Sequence, residues 1–405
     1  MKPAIIVTTP AELDSALSIL STVPVLAIDT EFMREKTYFP KLCLLQIAAD
    51  VNGTTEIFLI DPLQNGLDLK PLAQLWSNSE IVKVFHSGSQ DLQILFDACG
   101  AAPRPYFDTQ DAAVLIGQPE QIGYAALVDR LLDVKLDKAD GFTDWSKRPL
   151  SAAQLKYAAE DVNYLLQLYP LIKKELDSLN RQSWLDEEFD HRSSVKALTV
   201  DVRAQYRRLK RVSSLKPRQL AIAREVAAWR EEEAMRRNIP KRWLLPDESI
   251  LEMARRAPEN TKAIADLRGV GANLRRSLPK ILAAIEAGKA CLQEDLPQVP
   301  QRRRLSGDDC AAIELMAAVV RKRAQQNRIS SSALAPRALL EDYLAQRNDD
   351  CALMQGWRKE LIGEELGQLL EGKICLFMKD GCLAIEHLTG DEFVWEEFAQ
   401  RGDDA

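Results

Sequence analysis

The chain has 405 residues, with 53 basic and 60 acidic side chains, a formal net charge of −7 and 46% apolar residues, a balance that suits several soluble cores. No apolar run approaches the roughly 18–20 residues of a membrane span, and the first seven residues lack the apolar core of a signal peptide. A membrane or secreted protein is therefore not expected. The seven cysteines are scattered and never spaced C-x-x-C, which argues against a disulfide framework or a thiolate zinc site and for reduced thiols in the cytoplasm.

In chain order, residues 23–28 are a nearly continuous apolar run, as for a strand buried on both faces. Residues 42–48 and 56–60 follow as strands, with Asn52-Gly53 between them as a hairpin turn. A helix near 67–76, a strand near 81–85 and a helix near 89–99, with Ser89 as its N-cap, come next. After Gly100 the pattern is mainly helical and ends in a long amphipathic stretch from Ser151 to about Leu179. Three meander strands followed by alternating helices and strands predict an α/β domain with a mixed sheet and flanking helices over 1–195.

Beyond residue 196 the β signal disappears. Helices are predicted over 217–236, 247–256, 261–266 and 271–286, then again between 305 and 372, with 298–304 as a linker. The two blocks form a weak repeat: Asn238-Ile239-Pro240 resembles Asn327-Arg328-Ile329, and Leu245-Pro246 resembles Ala335-Pro336. The reading is one all-α module at 212–292, a diverged copy at 303–372, and a tail at 373–405 with a hairpin around Lys379-Asp380-Gly381. Charge is segregated: residues 1–195 carry 17 basic and 28 acidic residues, whereas 196–300 carry 22 and 13. A basic middle beside an acidic first half points to a polyanionic partner.

Three acidic groups carry candidate chemistry. Asp29 and Glu31 end a strand and point to one face, because strand side chains alternate. Two carboxylates so close repel unless a cation lies between them, and such oxygen sites suit Mg²⁺ or Mn²⁺. Asp91 opens a helix after an apolar strand. Tyr157 and Asp161 share one helix face at i and i+4. Each group alone has a bland structural explanation; jointly they form a pattern.

That pattern is D-x-E in Ala27-Ile28-Asp29-Thr30-Glu31-Phe32, an acid in His86-Ser87-Gly88-Ser89-Gln90-Asp91, and Tyr157-Ala158-Ala159-Glu160-Asp161. It resembles the DEDD exonucleases of the tyrosine subtype, which have a ribonuclease H-like fold. The spacer Asp144-Trp145-Ser146-Lys147-Arg148-Pro149-Leu150 narrows the likeness to the RNA-trimming branch, and the two helical blocks resemble its HRDC modules. One departure is the run Lys138-Ala139-Asp140-Gly141-Phe142-Thr143, where relatives often show a more polar segment.

The resemblance implies 3′→5′ hydrolysis of RNA, releasing 5′-mononucleotides with two divalent ions (Mg²⁺ or Mn²⁺) held by Asp29, Glu31, Asp91 and Asp161. Tyr157 would orient the attacking water. The implied substrates are tRNA and other stable RNA precursors with 3′ trailers; a monomer is expected because the sequence shows no strong coiled-coil heptad or long unpaired apolar stripe. Phe32 and Met33 are expected to stack on terminal bases, and Gln46 and His86 to line the groove. Arg207 and Arg211, an i,i+4 pair, and Lys241 and Arg242 are expected to hold RNA, with Trp243 in the core. The rival readings are a DNA exonuclease of repair type and a non-catalytic RNA-binding scaffold on the same fold.

Overall fold

A computed structural model describes residues 2–136, 143–298, 305–346 and 351–388. The segment Lys138 to Phe142 and the 299–304 portion of the linker lie outside the described residues. The chain forms two compact units. One takes residues 2–109, 123–136, 143–173 and 185–298; the other takes 110–122, 174–184, 305–346 and 351–388.

The first unit is built on a six-stranded sheet. Its strands are β1 (Ile5–Val7), β2 (Val25–Met33), β3 (Lys41–Val51), β4 (Thr54–Ile60), β5 (Val82–Phe85) and β6 (Tyr106–Asp108), in the order β1-β4-β3-β2-β5-β6. The meander β2-β3-β4 is antiparallel, while β1 pairs with β4, and β5 with both β2 and β6, in parallel. Asn52 and Gly53 both adopt positive φ, as the two-residue turn between β3 and β4 requires. Helices α1 (Pro10–Leu20), α2 (Leu72–Ser77), α3 (Ser89–Cys99), α4 (Thr109–Leu115), α5 (Tyr124–Leu132), α6 (Ala152–Asn163), α7 (Leu165–Ser178) and α8 (Gln182–Arg192) follow the strands in chain order.

Four elements differ from expectation. β1 and α1 were not foreseen, although Thr9 and Glu12 form a capping box that the sequence displays. β6 sits in a stretch read as helical. Gly88, not Ser89, occupies the N-cap of α3.

Helix α6 covers one sheet face through Ala158, Ala159 and Val162, which pack with Ala27, Leu44, Ala48, Ile57, Leu59 and Trp145. The small residues of α6 let its axis lie close to the sheet, and its capping box (Ser151 and Gln154) sets where it begins. Tyr157 and Asp161 are thereby held over β2.

After the short α9 (Val195–Leu198), the helical region of this unit contains α10 (Pro217–Arg237), α11 (Lys241–Leu244), α12 (Asp247–Arg256), α13 (Thr261–Ala265) and α14 (Leu278–Lys289). Gly288 permits close packing of α14 on α10: a Cβ there would lie 2.4 Å from Ile222 Cα. The second unit has α15 (Gly307–Asn327), α16 (Ser331–Leu334) and α17 (Arg337–Gln346). Each begins 90 residues after α10, α11 and α12 and matches its length, 21, 4 and 10 residues. Arg328, in the left-handed conformation, thus corresponds to Asn238, one residue out of the register suggested by Asn327. A hairpin of β7 (Ile374–Lys379) and β8 (Cys382–His387) follows in the place expected for it.

Candidate active site

Strand β2 carries Asp29 and Glu31 on the face covered by α6. Oxygen atoms of Asp29, Glu31 and Asp161 all lie within 4.8 Å of one another. Asp91 joins them from the other side of the strand: Thr30, between the two β2 acids, donates its hydroxyl to the Asp91 carboxylate. Acids from three distant stretches of the chain thus converge, and just after Glu31 the register of β2 against β3 shifts by one residue, Phe32 pairing with Leu42 and Met33 with Lys41.

The turn from β5 into α3 places Asp91. A Cβ on Gly88 would fall 2.5 Å from Phe85 Cβ, so only glycine fits there. Buried Asp108, at the end of β6, accepts the N–H groups of Ser87 and Gly88 at 2.9 Å each and the Tyr106 hydroxyl at 2.6 Å. These bonds hold the start of α3 against the sheet.

Burial acts on all four acids, and repulsion by the others adds to it at Asp29 and Glu31. Asp29 is pushed well up by burial and then by Asp91, Asp161 and Glu31. Glu31 rises to about 8 through burial, Asp161 and Asp91. Burial lifts Asp161 to about 7 and Asp91 to about 6, even though hydrogen bonds from Tyr157 and Thr30, respectively, pull them down. Tyr157 is raised by burial and by the neighbouring carboxylates, so it remains a neutral phenol at physiological pH. A cluster of hard oxygen donors that resist ionising together fits a divalent cation, which would reverse the sign of the repulsion.

A supporting residue emerged only from the structure. Arg148, in the spacer motif, donates to both oxygens of buried Asp61 at 2.6 and 2.7 Å and to the carbonyls of Cys43 and Trp145. Burial pushes Asp61 up, but the hydrogen bonds from Arg148 and Gln64 outweigh it and hold the carboxyl below its ordinary range. The spacer is thereby tied to the sheet, and Trp145 packs near the Tyr157 ring, centroids 6.0 Å apart. The R-P pair in the spacer was visible in the sequence; its partner 87 residues earlier was not.

The other candidates divide. Phe32 and Met33 are half-buried beyond the register shift, Met33 packing on the face beneath α6. Gln46 is opposite Asp29 in the ladder and fully buried, so it does not line an open groove; its amide atoms find no partner among the described residues. The half-buried His86 shares a 2.9 Å hydrogen bond with Thr109. Arg207 and Arg211 do not share a helix face: Val202–Arg208 is a 3₁₀ helix and Arg211 has φ of 64°, which breaks the 3.6-residue period. Lys241 pairs with buried Glu231 at 3.1 Å, and Arg242 lies 3.5 Å from Asp247. Trp243 is 59% exposed rather than in the core, because α11 is a single turn whose inward position belongs to Leu244.

A mixed α/β sheet on which Asp29, Glu31 and Asp161 cluster beside Tyr157, followed by a helical module, has the donor set of a divalent-metal hydrolase, and the comparisons with known proteins give its class. The family model for 3′-5′ exonucleases matches residues 4–177, and that for the HRDC domain matches 219–285. Ribonuclease D of Nitrobacter hamburgensis is 37% identical over 378 residues, covering 93% of this chain and 97% of that protein. Ribonuclease D of Zymomonas mobilis is 38% identical over 384 residues, covering 94% and 97%. The crystal structure of Escherichia coli RNase D, an exoribonuclease involved in structured RNA processing, superposes with a TM-score of 0.78 at 29% identity, covering 91% of this chain and 99% of that one. The chain belongs to the ribonuclease D family and is a 3′→5′ exoribonuclease with divalent-metal-dependent chemistry.

Proposed function

We propose that this exoribonuclease trims the 3′ ends of tRNA and other stable RNA precursors, releasing 5′-mononucleotides, with Asp29, Glu31, Asp91 and Asp161 as ligands of two Mg²⁺ or Mn²⁺ ions. The observation that carries the reading is the 4.8 Å grouping of Asp29, Glu31 and Asp161, with Asp91 fastened to it through Thr30. Bound divalent ions would offset the negative charge that builds up on the phosphodiester and activate the attacking water.

The chain's own groups do the rest. Asp29 and Glu31 arrive on a rigid strand and Asp161 on a capped helix, so their spacing is set before substrate arrives. Tyr157, a neutral hydroxyl donor among acids, orients the water rather than removing its proton. Phe32 stacks on the terminal base, while Arg242 contributes charge at the helical module. Within this reading, 1–195 is the catalytic domain, 212–292 the HRDC domain and 303–372 its diverged copy, a division favoured by the 90-residue repeat of helices. The enzyme acts as a cytoplasmic monomer; its cysteines are all free.

The test is digestion of 5′-labelled tRNA precursors with and without a 3′ trailer, beside single-stranded DNA of equal length. Trailer removal that stops near the mature end, with DNA spared, is expected. Equal or faster loss of DNA would overturn the substrate assignment.

A further inference from the structure

We propose that Gln46 is a positioning residue of the metal site: its side-chain amide donates a hydrogen bond to the Asp29 carboxylate when that group ionises to take a divalent cation. The inference rests on the reading of Asp29, Glu31, Asp91 and Asp161 as metal ligands, and it gives Asp29 the side-chain donor that Asp91 and Asp161 already have.

Gln46 is the one polar residue in a run of eight buried residues on β3, 42–49. It is 0% exposed, and neither its amide nitrogen nor its amide oxygen has a hydrogen-bond partner among the described residues. An unpaired amide is costly to bury, whereas a methionine of the same length carries no such cost. Packing alone therefore gives no reason for an amide here. Its neighbours across the ladder are Asp29 on β2 and Leu59 on β4. On the same face of β3, two residues away in either direction, stand Leu44 and Ala48, both in the core beneath α6. Of these neighbours only Asp29 has a side chain that can bond an amide.

Directly opposite residues of an antiparallel pair share a face, with Cβ atoms about 4.5–5.5 Å apart, and a glutamine side chain spans that gap by rotation alone. Two acids of the cluster have a hydroxyl donor: Thr30 serves Asp91, and Tyr157 serves Asp161. Half-buried Asp29 takes the backbone N–H of Thr30 and no side-chain donor among the described residues. An ionised carboxylate is a pure acceptor with room for several donors. The Gln46 N–H is the unused donor beside it.

The bond has two consequences. It fixes the plane of the Asp29 carboxylate, so that an oxygen stays within 4.8 Å of those of Glu31 and Asp161. It also favours the ionised carboxylate against the burial and repulsion that oppose it. Partners of this kind set the orientation and basicity of metal ligands, and losing one costs about 10–100-fold in metal affinity or activity.

The test uses the full chain with Mn²⁺ or Mg²⁺ alone and then with RNA. Gln46→Met keeps the length of the side chain and removes the amide. In EDTA its Tm is expected to equal or exceed that of the wild type, because an unpaired group has gone. Its Mn²⁺ affinity, read by titration calorimetry without RNA, is expected to weaken about 10–100-fold, and kcat to fall over the same range with KM for RNA unchanged. Gln46→Asn, whose shorter amide does not span the pair, is expected to lose Mn²⁺ affinity to a similar extent and serves where the methionine variant does not fold. In nuclear magnetic resonance spectra of wild type labelled at its glutamine side-chain nitrogens, the Gln46 amide signals, assigned by their absence from either variant, are expected to move downfield on adding Mg²⁺. Wild-type Mn²⁺ affinity in both variants, or amide signals that Mg²⁺ leaves unmoved, would overturn the proposal. A Gln46→Met variant that melts lower in EDTA yet binds Mn²⁺ as the wild type does would make Gln46 a packing residue only and overturn it too. A wild type that binds no Mn²⁺ would overturn the metal-site reading itself, and the proposal with it.

Discussion

The hydroxyl of Thr30 is bonded to the carboxylate of Asp91, 61 residues further along the chain. The side chain between the two β2 acids therefore holds the fourth acid in place. Thr30→Val keeps the branched shape and removes the donor, and nucleotide release is expected to fall about 10–100-fold, with Thr30→Ser close to wild type. Steady-state kinetics checks this; wild-type activity in the valine variant would remove Thr30 from the positioning of Asp91.

Asp29→Asn and Asp161→Asn each withdraw a charge from the cluster. Nucleotide release is expected to drop by about two to three orders of magnitude, the scale of losing one electrostatic stabiliser. RNA binding in EDTA should persist. Release that continued at the wild-type rate in either variant would refute the site assignment.

The raised acids give the metal-free protein a definite pH dependence. Glu31 titrates at about 8 when folded against an ordinary 4.5, and Asp161 at about 7 against 3.8. Between the unfolded and folded values the native state binds more protons, so stability falls as pH rises across that window. Metal binds the ionised carboxylates, so its stabilisation grows over the same range. The rise in Tm on adding Mn²⁺ is expected to be larger at pH 8 than at pH 6, and the effect should shrink in Glu31→Gln. Thermal melts in EDTA and in Mn²⁺ measure both.

Arg148 neutralises a carboxylate that is 1% exposed. Arg148→Ala strands Asp61 without its cation and is expected to cost about 3–5 kcal/mol. The double variant Arg148→Met/Asp61→Leu should recover much of that loss. Urea unfolding of the three proteins decides the point.

Asn238 bonds the segment leaving β2 to the end of α10. Its φ is +50°, so Asn238→Gly keeps the backbone allowed while deleting the acceptor. Amide exchange at Tyr38 and Phe39 is expected to speed up about tenfold, equivalent to losing bonds worth about 1–1.5 kcal/mol. Exchange followed by mass spectrometry would show it.

The sequence by itself determined the acids and the local frame that carries them. Alternation put Asp29 and Glu31 on one strand face, the helical period put Tyr157 above Asp161, and Asn52-Gly53 marked the hairpin; each is a short-range signal. It missed β1 and β6, three-residue strands too short to show a period. Tertiary structure alone decided which distant groups meet: Thr30 with Asp91, Arg148 with Asp61, Asn238 with Tyr38. It also turned Gln46 inward beside Asp29, left Trp243 in solvent and broke the Arg207–Arg211 pair. Such outcomes follow from sheet register, bends and helix length, which arise from packing across the whole core and leave no periodic trace in neighbouring residues.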